Sequence, residues 1–222
     1  SSPVMSLGSG HTCGIEMGGD LMCWGYNDDG RIGDGTTVTR RHQHTKIDLG
    51  AGRAAVHVSL GGFHSCAICD DGALMCWGWN DYGQIGDGTT VARRQPTKID
   101  LGAGRAAVHV SLGGFHSCAI CDDGALMCWG WNDYGQIGDG TTVNRHLPTK
   151  IDLGTGRAAV DVSLGWVHTC AVRDDGSLMC WGQNAYGQIG DSTTVNRHQP
   201  TNIKFRIAQC ISSSNCPSTK YC

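Results

Sequence analysis

The segment Val58–His109 is written twice. Val110–Asp161 repeats it with five changes: Ala92 becomes Asn144, Arg94 becomes His146, Gln95 becomes Leu147, Ala103 becomes Thr155 and His109 becomes Asp161. Looser copies flank the pair, opened by Ser6–Cys13 and Val162–Cys170. The spacing is 52 residues between the last three copies and 53 between the first two, where His42-Gln43-His44 stands in place of Gln95-Pro96. A fixed period of this size means an array of supersecondary units, each too small to bury its own apolar face. It predicts four repeats, at about 3–57, 58–109, 110–161 and 162–209, as one array over 1–209, followed by a Cys-rich tail over 210–222.

Within a copy the residue order predicts strands. Ala54–Leu60 alternates Val56, Val58 and Leu60 with smaller or polar residues, the period of a half-buried strand. Gly61-Gly62 breaks it, and Phe63–Cys69 reads as a second strand. Asp70-Asp71-Gly72 is a tight-turn signal, after which Ala73–Trp79 returns as a third. Asn80–Thr90 is a Gly-rich loop and Pro96–Leu101 a short fourth strand. Four short antiparallel strands per copy, with no helical period anywhere, predict an all-β fold of four propeller-type blades.

Thirteen cysteines among 222 residues occupy repeated places. Cys66 and Cys76 lie symmetrically about Asp71, facing one another across the predicted hairpin, where cross-strand Cβ atoms are ~4.5–5.5 Å apart. The pair recurs as Cys13/Cys23, Cys118/Cys128 and Cys170/Cys180, so four disulfides are expected, and with them an oxidising, secreted or cell-surface location. A zinc reading of His64 with Cys66 and Cys76 lacks a fourth ligand. His11, His64, His116 and His168 read instead as structural residues, and no metal or cofactor is expected. Cys69, Cys121, Cys210, Cys216 and Cys222 remain as inter-blade or intermolecular thiols, an odd number.

Gly61, His64, Cys66-Ala67, Asp71-Gly72, Leu74, Cys76-Trp77-Gly78, Asn80 and Tyr82-Gly83-Gln84-Ile85-Gly86 together resemble the regulator of chromosome condensation repeat, over essentially Pro3–Phe205. Copy one departs at Asp29, where Tyr is usual, and at Arg31, where Gln is usual. The resemblance implies a β-propeller, typically of seven blades. Members include an exchange factor for a small GTPase, a plant ultraviolet photoreceptor and a secreted inhibitor of β-lactamases. None of these activities transfers on the residues present. Trp79 and Trp131 read as blade packing or as an exposed aromatic row.

Four copies where seven are usual leave two open flanks, each an apolar face with an unpaired edge. The expected function is therefore non-enzymatic: an extracellular structural subunit that self-associates head to tail, as a ring or filament, a homo-oligomer or homopolymer. The alternative is a secreted propeller module that recognises a ligand or protein through its variable loops at 92–95, 144–147 and 196–199. A closed four-bladed ring and a fragment of a longer chain are the other arrangements compatible with the count. No catalytic constellation or phosphate loop is visible, and a net charge of −3 does not favour nucleic acid. No apolar run approaches the ~20 residues of a membrane-spanning helix. No signal peptide is visible, consistent with Ser1 as a mature start. The Thr pairs at 36–37, 89–90, 141–142 and 193–194 are candidate O-glycan sites. Basic spots at Arg40-Arg41, Arg93-Arg94, Arg145-His146 and Arg197-His198 oppose acidic hairpin tips at 70–71, 122–123 and 174–175, which read as solvated edges.

Overall fold

The computed structural model describes residues 5–102 and 104–206. They form sixteen strands in four antiparallel sheets. Blade 1 is β1 (Met5–Leu7), β2 (His11–Ile15), β3 (Leu21–Tyr26) and β4 (Arg40–Lys46). Blade 2 is β5 (Ala55–Leu60), β6 (His64–Cys69), β7 (Leu74–Gly78) and β8 (Arg93–Ile99). Blade 3 is β9 (Ala107–Leu112), β10 (His116–Cys121), β11 (Leu126–Gly130) and β12 (Arg145–Lys150). Blade 4 is β13 (Ala159–Leu164), β14 (His168–Arg173), β15 (Ser177–Gly182) and β16 (Arg197–Arg206). Each sheet is a simple meander in chain order. The sheets begin at Ala55, Ala107 and Ala159, so repeat boundaries drawn at 58, 110 and 162 cut the first strand of a blade.

The expected fourth strand starts three residues earlier than Pro96, at Arg93. Arg93 pairs with Gly78, and three residues then oppose Trp77 before Thr97 meets Cys76. Such a bulge carries the strand past a proline that cannot donate to the ladder. The same register corrects the placement of the extra residue in copy one. Gly25 pairs with Arg41 and Cys23 with Thr45, so His42-Gln43-His44 aligns with Arg94-Gln95-Pro96. The insertion lies upstream, between Val38 and Arg41.

All four hairpin cysteine pairs are in register, and all four are disulfides: Cys13–Cys23, Cys66–Cys76, Cys118–Cys128 and Cys170–Cys180. Each closes a loop of ten residues, worth about 3 kcal/mol in the chain-entropy account. They also pack. The core is divided into slabs between blades, and the disulfides of blades 1, 2 and 3 each face the following blade. Thus Cys13, Leu21 and Cys23 of blade 1 meet Ala67, Met75 and Trp77 of blade 2. Sheet-to-sheet packing runs from blade 1 to 2, 2 to 3 and 3 to 4, with the first strands β1, β5, β9 and β13 lying against their successors.

Cys69 and Cys121 are free thiols, 1% and 0% exposed. They sit in different slabs, Cys69 facing blade 1 and Cys121 facing blade 2, so they do not bridge one blade to another, and neither reaches the surface as an intermolecular thiol would. Cys210, Cys216 and Cys222, and the tail reading as a whole, lie outside the described residues.

Candidate functional site: the blade junctions, their open ends and an aromatic row

Every blade junction is built around one backbone carbonyl. Gln84 O accepts from Ser117 Oγ at 2.8 Å and from Trp129 Nε1 at 2.9 Å. Arg31 O serves Ser65 and Trp77 in the same way, and Gln136 O serves Thr169 and Trp181. The hydroxyl that donates to the carbonyl also accepts from a histidine of the preceding blade: His11 Nε2 to Ser65 at 2.9 Å, His64 Nε2 to Ser117 at 2.8 Å and His116 Nε2 to Thr169 at 2.9 Å. Because the hydroxyl hydrogen is committed to the carbonyl, the imidazole must carry its proton on Nε2. Nδ1 is then a bare lone pair, and in all three histidines it is buried without a partner. Burial, with smaller contributions from Arg31 at His11 and from neighbouring imidazoles at His64 and His116, holds these imidazoles down to about 3. They are neutral structural donors between blades. Among the described residues no group of three or more His, Cys, Asp or Glu side chains is disposed to hold a metal ion.

A fourth contact repeats beside these: the backbone N–H of Leu60, Leu112 and Leu164 donates to Ser6, Ser59 and Ser111 of the blade before. The glycines of the Gly-Gln-Ile-Gly loop complete the fit. A Cβ on Gly86 would lie 2.6 Å from Trp129 Nε1, so only glycine lets the indole seat.

The two ends of the array carry unmatched halves of this set. On the leading flank, Trp24 is half-buried where Trp77, Trp129 and Trp181 are fully buried. It lines a groove of about 420 Å³ with Gly14, Met22, Glu16, His42 and His44. On the trailing flank, Gln188 is half-buried where Gln84 and Gln136 are fully buried, and His168 Nε2 has no partner among the described residues. A Cβ on Gly190 would meet nothing nearer than Ile203 Cγ2 at 3.6 Å, because no indole lies on it. The Cys170–Cys180 disulfide, Leu178, Ile189 and Ile203 form the apolar patch beneath.

Charge is largely consumed locally. Arg41, Arg93, Arg145 and Arg197 each pair with the Asp of the neighbouring loop: Asp34, Asp87, Asp139 and Asp191. Arg53, Arg105 and Arg157 pair with the hairpin-tip carboxylates Asp71, Asp123 and Asp175. One arginine of each basic spot, and one carboxylate of each acidic hairpin tip, is thus held in an ion pair. In each Thr pair the first member is committed, its Oγ1 donating to that loop Asp, while Thr37, Thr90, Thr142 and Thr194 are exposed.

The loops on the side opposite the hairpin tips carry a continuous aromatic row. Phe63 stacks on Phe115 at 5.2 Å, and Trp79 meets both of them at 5.5 Å. Tyr82 stacks on Trp131 at 5.7 Å, Trp131 meets Tyr134 at 5.4 Å, and Trp166 closes on Phe115 at 5.5 Å. Trp79 and Trp131, both half-buried, belong to this aromatic row and not to the slabs between blades. The sequence reading missed Phe63, Phe115, Tyr82 and Tyr134. The available signal was the fixed phase of Gly-Gly-Phe and Trp-Asn-Asp-Tyr in copies two and three.

The family model for the RCC1-like domain matches residues 3–218. The chain belongs to the RCC1-like domain family. It is 31% identical over 212 residues to the ultraviolet-B receptor UVR8 of Arabidopsis thaliana, covering 96% of this chain and 48% of the receptor. It is 29% identical over 218 residues to the E3 ubiquitin-protein ligase HERC2 of Homo sapiens, covering 97% of this chain and 4% of that protein. Among solved structures it superposes on human WBSCR16 with a TM-score of 0.79 at 21% identity, over 91% of this chain and 53% of that one. Yeast RCC1 (Prp20) bound to Kap60 gives 0.78 at 22% identity, over 90% and 48%. The RCC1-like chain therefore spans about half the length of the ultraviolet-B receptor and of these two structures. Its architecture is that of an RCC1-like β-propeller binding module, presented as an arc of four blades.

Proposed function

We propose that this RCC1-like module is an extracellular structural subunit that associates head to tail, blade 4 of one copy seating blade 1 of the next. The observation that carries the reading is the complementarity of the flanks. Every junction inside the chain uses the same donors and acceptors, and the unmatched halves are the right ones. Trp24 Nε1 and Thr12 Oγ1 stand at the positions of Trp129 and Ser117, and Gln188 O and His168 Nε2 at those of Gln84 and His64. Leu7 N–H corresponds to Leu60 N–H, and Ser163 to Ser6. Glu16 lines the groove on the leading flank, where the internal blades have Cys69 and Cys121. A heterologous contact of this kind closes into a ring if the rotation allows and otherwise runs on as a filament. The four disulfides support the extracellular placement.

The test is the native mass of oxidised protein by light scattering, at micromolar concentration. Assemblies are expected for the wild-type chain and monomers for Trp24→Ala, which removes a half-buried ring that no neighbouring blade of its own subunit covers. A wild-type monomer across the micromolar range overturns the reading. The alternative, recognition of another molecule by the loop side, is favoured by one observation of its own: the aromatic row.

A further inference from the structure

We propose that the aromatic row over blades 2 and 3 binds cationic side chains, guanidinium or ammonium groups presented by a basic peptide. The inference stands whether or not subunits associate, because the row lies on the loop side and not on a flank.

The molecule contains its own template for the contact. At the junction of blades 1 and 2, the guanidinium carbon of Arg31 lies 4.9 Å from the ring centroid of Tyr26 and 4.9 Å from that of Phe63. The Asp29 carboxylate pairs with it, and its Nη1 donates to Gly62 O at 3.3 Å. Cations are held over aromatic faces by the ring quadrupole, and more tightly with a carboxylate at hand. One blade on, Tyr26 is replaced by Trp79 and Phe63 by Phe115, two rings of the same kind in the same places. Arg31 is replaced by Gln84, whose Oε1 is turned back to accept from Tyr82 N–H at 3.1 Å. The slot thus has its rings without its cation. Tyr82 stands where blade 1 has Asp29, so the slot lacks that carboxylate too. In blade 3, Trp131, Gln136 and Tyr134 repeat these changes, with Gln136 Oε1 accepting from Tyr134 N–H at 3.0 Å, but Val167 takes the place of the second ring. The rings have closed on one another, so an incoming cation meets their outward faces rather than a gap between them.

Charge points the same way. Asp81 and Asp133 occupy one position in successive blades, within the Trp-Asn-Asp-Tyr segments. Both are exposed, and neither has an ion-pair partner among the described residues. Arg93 and Arg145 are occupied by Asp87 and Asp139, and the side chains packed against Gly83 and Gly135 beside these segments are His146 and His198. Trp166, 51% exposed, extends the apolar surface toward blade 4. Two carboxylates one blade apart, each beside Trp and Tyr, suit a chain carrying more than one positive charge.

The probe is an N-acetylated, C-amidated hexa-arginine peptide, titrated at 150 mM salt with tryptophan fluorescence and calorimetry as readouts. Saturable binding is expected for the wild-type chain. Trp79→Ala with Trp131→Ala should weaken it about tenfold or more, and Asp81→Asn with Asp133→Asn by about threefold to tenfold. Trp79→Phe with Trp131→Phe keeps the rings and should stay near wild type, which separates lost recognition from lost folding. Asp70→Asn with Asp122→Asn, on the opposite side, should bind as wild type. Equal binding by all variants reduces the effect to bulk charge and overturns the proposal, as does no saturable binding. Competition by a neutral chito-oligosaccharide would make the row a sugar site. Loss of a face-to-face dimer in the Trp79→Ala protein would make it a self-contact. Either result also overturns the proposal.

Discussion

Trp129 donates its indole N–H to the carbonyl of Gln84 at 2.9 Å, across 45 residues and one blade junction. The bond is duplicated at the two other junctions, and its indole is always fully buried. Removing a buried Trp costs about 3–5 kcal/mol, so Trp129→Ala should lower unfolding stability by that amount. Trp129→Phe leaves Gln84 O with its Ser117 bond, and should cost less. Trp24→Ala, made where no blade covers the ring, should cost the isolated subunit much less than Trp129→Ala. Denaturant midpoints of the three variants, measured below the association concentration, check the order.

The cysteines divide into two populations with different reactivity. Replacing Cys66 and Cys76 together by Ala should cost about 3 kcal/mol or more, the loop term plus the packing of a fully buried sulfur pair. Cys69 and Cys121 are pushed up to about 11, first by burial and then by the hairpin-tip carboxylates. A thiol raised in the folded state contributes stability that is lost as pH rises from the unfolded value toward the folded one, through the alkaline range. At pH 8 both are protonated and covered, so an alkylating reagent should leave them unmodified in native protein. It should label both on unfolding without reductant, as peptide mapping would show.

Much of this was legible in the chain. Period-2 alternation and the Asp-Asp-Gly turns placed three strands in blades 2, 3 and 4, and the symmetry of Cys66 and Cys76 about Asp71 placed the disulfide. These are local signals. The start of β8 at Arg93 was not legible, because a bulge and an ion pair to Asp87 decide it, and Pro96 misleads. The structural role of His64 was legible but its partner was not, because that is a hydroxyl 53 residues away on the next blade. The aromatic row was half legible: Trp79 and Trp131 stood out by type, but only three-dimensional stacking joins them to Phe63 and Phe115.

Ser192 is the one described non-glycine residue with positive φ, at 66°. Gly35, Gly88 and Gly140 hold the equivalent place, at φ of 82°, 81° and 84°. A side chain in this left-handed region costs about 1–2 kcal/mol. At the internal junctions a Cβ there would also lie near the next blade, 2.9 Å from Gln199 Nε2 at Gly140. Ser192→Gly should therefore stabilise the isolated subunit by up to about 1 kcal/mol, the strain relieved less the entropy gained by the unfolded chain. A thermal shift of a few degrees upward is the expected reading, and a downward shift would show that Ser192 holds its turn by a contact.

The junction histidines make stability depend on pH. His64 and His116 are fully buried, hydrogen-bonded only through Nε2, and held down to about 3. His11 is held as low beside Arg31. The unfolded chain takes up these protons near pH 6.5 and the folded chain does not, so the unfolded state binds more protons in between. Stability is full above about pH 6.5 and falls as pH falls toward 3. By pH 5 each histidine should have removed about 2 kcal/mol, for a combined loss on the order of 6 kcal/mol. The loop aspartates Asp34, Asp87, Asp139 and Asp191 are themselves lowered, so their contribution is lost only below about pH 4 and leaves the upper window to histidine. Denaturant unfolding at pH 7 and pH 5 should show the drop. His64→Asn with His116→Asn, though weaker at pH 7, should flatten the slope. A wild-type stability unchanged between these pH values would mean that the imidazoles find a way to charge in the folded state, and the hydroxyl–carbonyl relay would have to be redrawn.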